Sequence, residues 1–455
     1  MSATTMQEPL IESVVKPGET VSSMTEQVCA VALGERRYLW WWIALVPSVA
    51  LLGLMVISVL WLFYQGIQVW GNDWPNVWGF PIIAYVWWIG IASGGTFISA
   101  FFFLTRAEWR TSINRTAETM TLFTAVCAGI YPILHLGRPW FFYWLFPYPN
   151  TMTLWPNFKS PLMWDFIAIF AYIISSVIFW YIGLVPDLAS LRDRARSRYA
   201  QIVYGIAALG FRGSGRQWRH FRGIYGVMAG IMAPMVCSVH SVVGLDFAGS
   251  QMPGWHATDY PPFFVFGAVF SGFATVLLLI IPIRHFWGLR AYITQRHIDV
   301  LCRLTLTASC CVAYAYLMEV FSVYYGQEPA ELRMFHARVF GFDASVYWAT
   351  IVLNCLVPQL YWFKAVRRSI PLVVLISIGV VVGMWLERYG IVIQVPHRPH
   401  LPSAWGYFHP TFWDWSLFAG TCGLFLTGFL LTIRFVPALS MFEMREVLLG
   451  RNPSS

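Results

Sequence analysis

Three ionisable residues stand in otherwise apolar stretches of this chain: His135, Asp165 and Asp246. Two carboxylates and an imidazole at one depth can accept, hold and pass protons. The imidazole suits that work because its ordinary pKa lies near neutrality. A charged group inside a bilayer costs about 2.5–3.5 kcal/mol on insertion scales, so such residues mark a pathway or a site. The ligand expected there gives up protons and dissolves in lipid. Each residue also has a purely structural alternative. His135 could cap a helix end beside Gly137-Arg138-Pro139. Asp165 could be an acid favoured by a helix N-terminus, and Asp246 an interfacial residue in contact with water. The three together favour a site, because three independent accidents would have to share one depth.

The elements that must position them are membrane spans. Hydrophobic residues make up 58% of the 455 and charged residues 11%, the reverse of a soluble domain's balance. Leu39 to Asn72 carries no charged side chain, a longer run than the ~20 residues a spanning helix needs. Ten apolar stretches can be read: 39–63, 80–104, 117–136, 162–186, 222–246, 262–283, 302–325, 345–363, 370–393 and 413–436. Long uninterrupted runs exclude a β-barrel, whose strands would alternate over short segments. The fold class expected is all-α integral membrane, with ten transmembrane helices.

Lysine and arginine orient the chain. Loops 105–116, 187–222, 284–303 and 364–369 carry 18 of them, whereas loops 64–79, 137–161, 247–261, 326–344 and 388–412 carry 6. The positive-inside rule then puts both termini of a multi-pass membrane protein in the cytoplasm. His135 ends span three, Asp165 opens span four and Asp246 ends span five, so all three reach the outer third of the bilayer. Gln251, His256 and Asp259 follow span five on that side, and loop 137–161 adds Arg138, Lys159 and an aromatic wall from Trp140 to Trp144. The net charge of +8 is mostly this topological bias, so no nucleic-acid partner is expected for the arginine-rich loop. Residues 1–38 form a polar cytoplasmic tail without apolar periodicity, expected to be flexible or docked on a partner. The first apolar run is too long and too far from Met1 for a signal peptide.

The remaining polar residues exclude some redox chemistry. The eight cysteines avoid the outer loops and form no C-x-x-C or C-x-x-C-H motif. They read as packing residues. His135 and His240 are the only histidines inside expected spans, too few for two haems with paired axial ligands. No metal or haem is therefore expected in this chain. His240 lies six residues before Asp246, on another side of its helix, and reads as a core histidine. Glu319 in span seven, and Glu387 with Arg388 at the end of span nine, form a second polar set. They read as interior ion pairs or as part of a proton path.

Several stretches are similar to a known family. Gly94 to Ala100 and Arg106 to Arg115 resemble the NrfD/polysulfide-reductase family of membrane subunits. His135-Leu136-Gly137-Arg138-Pro139-Trp140, Ser160 to Asp165, Ser238-Val239-His240, Gln251 to His256 and Gly383 to Arg388 narrow the likeness. They resemble the ActC-type quinol-oxidising membrane subunits of alternative complex III, over roughly residues 35–440. The resemblance implies two four-helix bundles, 80–261 and 262–412, with peripheral first and last helices (39–63 and 413–436) and a cytoplasmic C-terminal tail (437–455). It implies a quinol pocket at the outer face of the first bundle, with His135, Asp165 and Asp246 as catalytic residues and Arg138 and His256 as further quinol contacts. The substrate would be menaquinol or ubiquinol. The partners implied are an iron–sulfur subunit whose [3Fe–4S] cluster sits over the outer face, multihaem c-type cytochrome subunits and a second NrfD-like membrane subunit. His240, Glu319, Glu387 and Arg388 would belong to proton conduits. Three rivals are weighed beside this reading. One is the quinone-site anchor of a polysulfide- or tetrathionate-type reductase, another a redox-free proton or ion transporter, and the third a structural anchor.

Overall fold

The computed structural model describes residues 14–34, 38–76, 78–145, 161–255 and 257–450. Among them, nine helices are long and apolar enough to cross a membrane. They are Leu39–Gln65, Gly79–Leu104, Asn114–His135, Met163–Arg194, Gly215–Ala248, Tyr260–Phe286, Gln295–Gly326, Ile370–Gln394 and Phe412–Phe435. The expected eighth span, 345–363, falls on the second arm of a bent helix pair, whose first arm lies in the stretch read as loop 326–344. Pro329–Phe340 and Ala344–Trp362 meet at 79°, and together they make the tenth candidate crossing. Its irregularity has local causes. The chain turns after Phe340 at Gly341, where a Cβ would lie 2.3 Å from the Ala337 carbonyl oxygen. Beyond Ile351 the helix widens into a π turn, Val352–Leu356, then tightens into a 3-10 turn from Val357. Pro358 has no N–H to continue an α ladder.

Spans two to five form one four-helix bundle and spans six to nine another. Their seam rests on two glycines, since a Cβ on Gly94 would lie 2.4 Å from Gly272 Cα. Small residues of this kind let helix backbones approach where lipid offers no hydrophobic drive. The first and last spans pair outside the bundles. Trp41 Nε1 donates to the Leu430 carbonyl at 2.9 Å, and a Cβ on Gly420 or Gly423 would come within 2.5 Å of Met55 or Leu51.

Three expectations need correcting. Spans four and five are longer than read, because their helices continue through the basic segment, which also holds a short helix, Arg198–Ala207. The N-terminal tail is docked on its own chain from residue 14 to 34. Its helix Val21–Ala32 buries Met24, Val28 and Val31, a stripe that its polar neighbours hide in the sequence. Lys16 N–H donates to the Ala291 carbonyl at 3.0 Å and Gln27 Nε2 to the Gly288 carbonyl at 3.1 Å. Lastly, not every span cysteine is packed inside, for Cys237 and Cys310 are exposed.

Two arginines counted as loop charges are also buried. Arg115 pairs with Glu118 at 2.7 Å and Asp187 at 3.1 Å, and Arg110 pairs with Glu443. Asn114 donates to the other Glu443 oxygen at 2.6 Å. Buried charges of this kind must be paired to be tolerated, and the cluster ties the C-terminal helix to the basic end of the first bundle.

Candidate functional site

At the opposite end of that bundle, spans two to five enclose a cavity of about 400 Å³. Its walls are apolar, with Ile82 and Val86 from span two, Ile133 from span three and Phe166, Phe170 and Ile173 from span four. His135, Asp165 and Asp246 all line it. Alternating helix direction delivers them there. His135 is the last residue of its helix, Asp165 lies in the first turns of the next, and Asp246 stands two residues before the end of the third.

The three share a further property. His135 Nδ1, Asp165 Oδ1 and Asp246 Oδ1 are buried without a hydrogen-bond partner among the described residues. Buried polar atoms are nearly always paired, and leaving one unpaired costs about 1–3 kcal/mol. Three such atoms on one apolar cavity fit a ligand that is mostly hydrophobic and carries hydroxyl or carbonyl groups.

Two residues of the site were missed by sequence reasoning. Tyr85 on span two lines the cavity and donates its hydroxyl to Asp165 Oδ2. It carries the only hydroxyl between Gly79 and Ile91, which was its available signal. Trp70, in the connection after span one, lays its ring nearly parallel to the His135 imidazole, at 14° and 6.4 Å between centroids. Nothing local in the sequence announces that contact.

Other expected site residues lie elsewhere. Arg138 is exposed and is not part of the cavity wall. His256 and Lys159 fall outside the described residues. Gln251 is exposed, and its backbone carbonyl accepts from His400 Nε2 at 3.1 Å. His240 is buried deeper between spans two and five, where its Nδ1 pairs with Ser93 Oγ at 3.0 Å. It does not reach the cavity wall.

The second polar set belongs to the second bundle and splits into two ion pairs. Glu387 pairs with its neighbour Arg388 at 2.7 Å and also accepts from the Tyr316 hydroxyl. Arg388 lies 4.3 Å over the Phe264 ring, a favourable cation–π placement. Glu319 pairs instead with Arg338 at 2.6 Å. Glu319 and Glu387 line one small cavity of about 30 Å³. Glu319 also borders a wider crevice of about 470 Å³ that holds Asp259, Glu328 and Glu331. Burial there holds the Asp259 carboxyl above the usual carboxylate range. Among the described residues no three His, Cys, Asp or Glu side chains gather as metal ligands would.

A family model, "Polysulphide reductase, NrfD", matches residues 68–398. The chain belongs to the NrfD family. The matched region takes in spans two to nine, both bundles, and leaves out the paired first and last helices. Subunits of the NrfD family interact with quinones and partner with iron–sulfur subunits in reductase complexes. A relative from Mesobacillus selenatarsenatis, named as a selenate reductase subunit, is 21% identical over 413 residues, covering 85% of this chain and 91% of the relative. Another, from Halobacterium salinarum and named as a dimethyl sulfoxide reductase membrane subunit, is 26% identical over 208 residues, covering 44% and 42%.

Proposed function

We propose that this NrfD-family protein binds and oxidises a quinol in the cavity of its first bundle, as a membrane subunit of an alternative-complex-III-type oxidoreductase. The observation that carries the reading is the set of three unpartnered polar atoms, His135 Nδ1, Asp165 Oδ1 and Asp246 Oδ1, on one apolar cavity. About 400 Å³ is within the range of small-ligand sites, and the apolar walls suit a quinone ring and the start of its tail.

Quinol oxidation releases two electrons and two protons. His135 hydrogen-bonds one hydroxyl and takes its proton through Nδ1. Asp165, held by Tyr85, is the second acceptor or orients the headgroup, and Asp246 binds the other hydroxyl or passes protons out of the membrane. Arg138 and His256 would be further contacts to the quinol. Menaquinol and ubiquinol both fit these roles. This chain contributes no metal. The electrons leave to an iron–sulfur subunit, with a [3Fe–4S] cluster, over the site end, then to multihaem c-type cytochromes. The membrane part is completed by a second NrfD-like protein. The basic end faces the cytoplasm of a bacterium, which puts both termini there and the site at the outer face.

The second bundle supplies a proton path. Glu387 and Glu319 line one cavity, and Glu319 continues into the acidic crevice. His240 would serve the first bundle in the same way. Glu319→Gln in proteoliposomes carrying the whole assembly should lower the protons moved per electron while quinol oxidation continues. Unchanged stoichiometry would remove Glu319 from the path.

A photoreactive azidoquinone tests the site itself. Labelling of peptides around His135, Asp165 or Tyr85, suppressed by excess quinone, is the expected result. Labelling confined to another subunit would refute it. The names of the relatives favour one second reading, in which the same cavity serves a reductase and the partner set differs. Co-purification with a molybdenum subunit and no multihaem cytochrome would select it.

A further inference from the structure

A hooked segment joins spans four and five at the basic end and takes no part in the cavity. Span four runs on past the bilayer, and helix Arg198–Ala207 turns back along it. The Tyr181 hydroxyl donates to the Ala207 carbonyl at 2.7 Å. Tyr181 stands about 30 Å along the helix from Pro161, which is the thickness of a hydrocarbon core. With Pro161 at one membrane boundary, the tip of the hook lies at the other. A second tether agrees, since the Tyr204 hydroxyl donates at 2.9 Å to the carbonyl of Phe435, the last residue of span ten.

At that boundary the hook shows two features together. Ile202, Ile206 and Leu209 are 53%, 73% and 71% exposed; Ile202 and Ile206, four apart, share one side of the helix, and Leu209 follows just past its end. In the residues that follow, Arg212, Arg216 and Arg219 are exposed and form no ion pair among the described residues. Residues 192–222 hold eight arginines and one acid, Asp193, which Arg192 already pairs at 2.8 Å.

We propose that residues 198–219 are a binding site for an anionic phospholipid of the leaflet at the basic end. Acyl chain would lie against Ile202, Ile206 and Leu209, and the headgroup phosphate against Arg212, Arg216 and Arg219. Amphipathic helices bind membranes through such a stripe, and arginines beside it select acidic headgroups. A nucleic acid would satisfy the arginines and leave the isoleucines in water. A second membrane subunit would cover the isoleucines and leave the arginines unneutralised. An acidic lipid meets both demands.

The test is native mass spectrometry of the full-length chain, titrated separately with phosphatidylglycerol and phosphatidylcholine. The wild type should prefer phosphatidylglycerol. The triple variant Arg212→Gln, Arg216→Gln, Arg219→Gln should weaken phosphatidylglycerol binding by at least about tenfold and leave phosphatidylcholine unchanged. The matching triple lysine variant should keep the preference, which separates loss of charge from loss of fold. Ile202→Ser with Ile206→Ser should weaken both lipids. No preference in the wild type, or full phosphatidylglycerol binding in the triple glutamine variant, would overturn the proposal. So would loss of a co-purifying membrane protein in the serine variant with lipid binding intact, which would make the hook a protein interface.

Discussion

The Tyr85 hydroxyl donates to Oδ2 of Asp165 and ties span two to span four at the cavity wall. That bond uses one carboxylate oxygen and leaves Oδ1, buried and unpartnered, as the one a ligand can meet. Tyr85→Phe removes the bond and little of the shape. A hydrogen bond to a charged group contributes about 1.5–3 kcal/mol, so quinol-driven kcat should fall roughly tenfold to a hundredfold, with a smaller change in KM. Steady-state turnover of the intact assembly measures both.

Gly129 sets the width of the cavity between spans three and four. It lines the cavity, and a Cβ there would lie 2.9 Å from Ile173 Cδ1. Because that atom is the end of a side chain, Gly129→Ala should be tolerated. Gly129→Leu would fill the space, and KM for a long-tailed quinol should rise about tenfold, near 1.4 kcal/mol. A short-tailed analogue should lose less. Equal KM values for both variants and the wild type would place the ligand elsewhere.

Arg388 is buried and neutralises the equally buried Glu387. Removing one partner of such a pair costs about 3–5 kcal/mol, while removing both costs much less. Arg388→Met should therefore lower the thermal stability of the purified protein strongly. Adding Glu387→Gln should restore most of it. A double variant no better than the single one would show that Glu387 is not the group that Arg388 satisfies.

The seam between the bundles depends on Gly94 and Gly272. Gly94→Leu would drive a side chain into the facing backbone, which starts 2.4 Å from the new Cβ. Overpacking of this kind costs about 1–3 kcal/mol or more. The variant should unfold at lower temperature and yield less assembled protein, while Gly230→Leu, where a Cβ meets nothing within 4 Å, should not.

Much of this was legible in the sequence, and the reasons differ by element. Nine spans announce themselves because all-round apolar helices have no other stable place. Span eight is harder, since a helix bent against it at Gly341 lies in a stretch read as loop, and Pro358 loosens its far end. His135, Asp165 and Asp246 stood out because ionisable groups are rare in such helices. Tyr85 and Trp70 did not, because an aromatic residue in an apolar run is ordinary and their partners lie far along the chain. Arg110 and Arg115 were misjudged for the opposite reason. A positive residue near a span end usually faces water, and only the fold brings Glu443 and Asp187 to meet these two. The N-terminal helix was hidden by its own surface, polar on every side but the one that docks.

The proposed quinol oxidation on this chain, with His135 taking part, can be read from electron transfer itself. The most direct measurement is reduction of the native assembly's iron–sulfur clusters and haems by a quinol analogue, with His135→Ala beside the wild type. An intact mutant assembly whose centres still accept electrons from dithionite but no longer from the quinol is the predicted result. Equal quinol-driven reduction in mutant and wild type would contradict the account and move the site to another subunit.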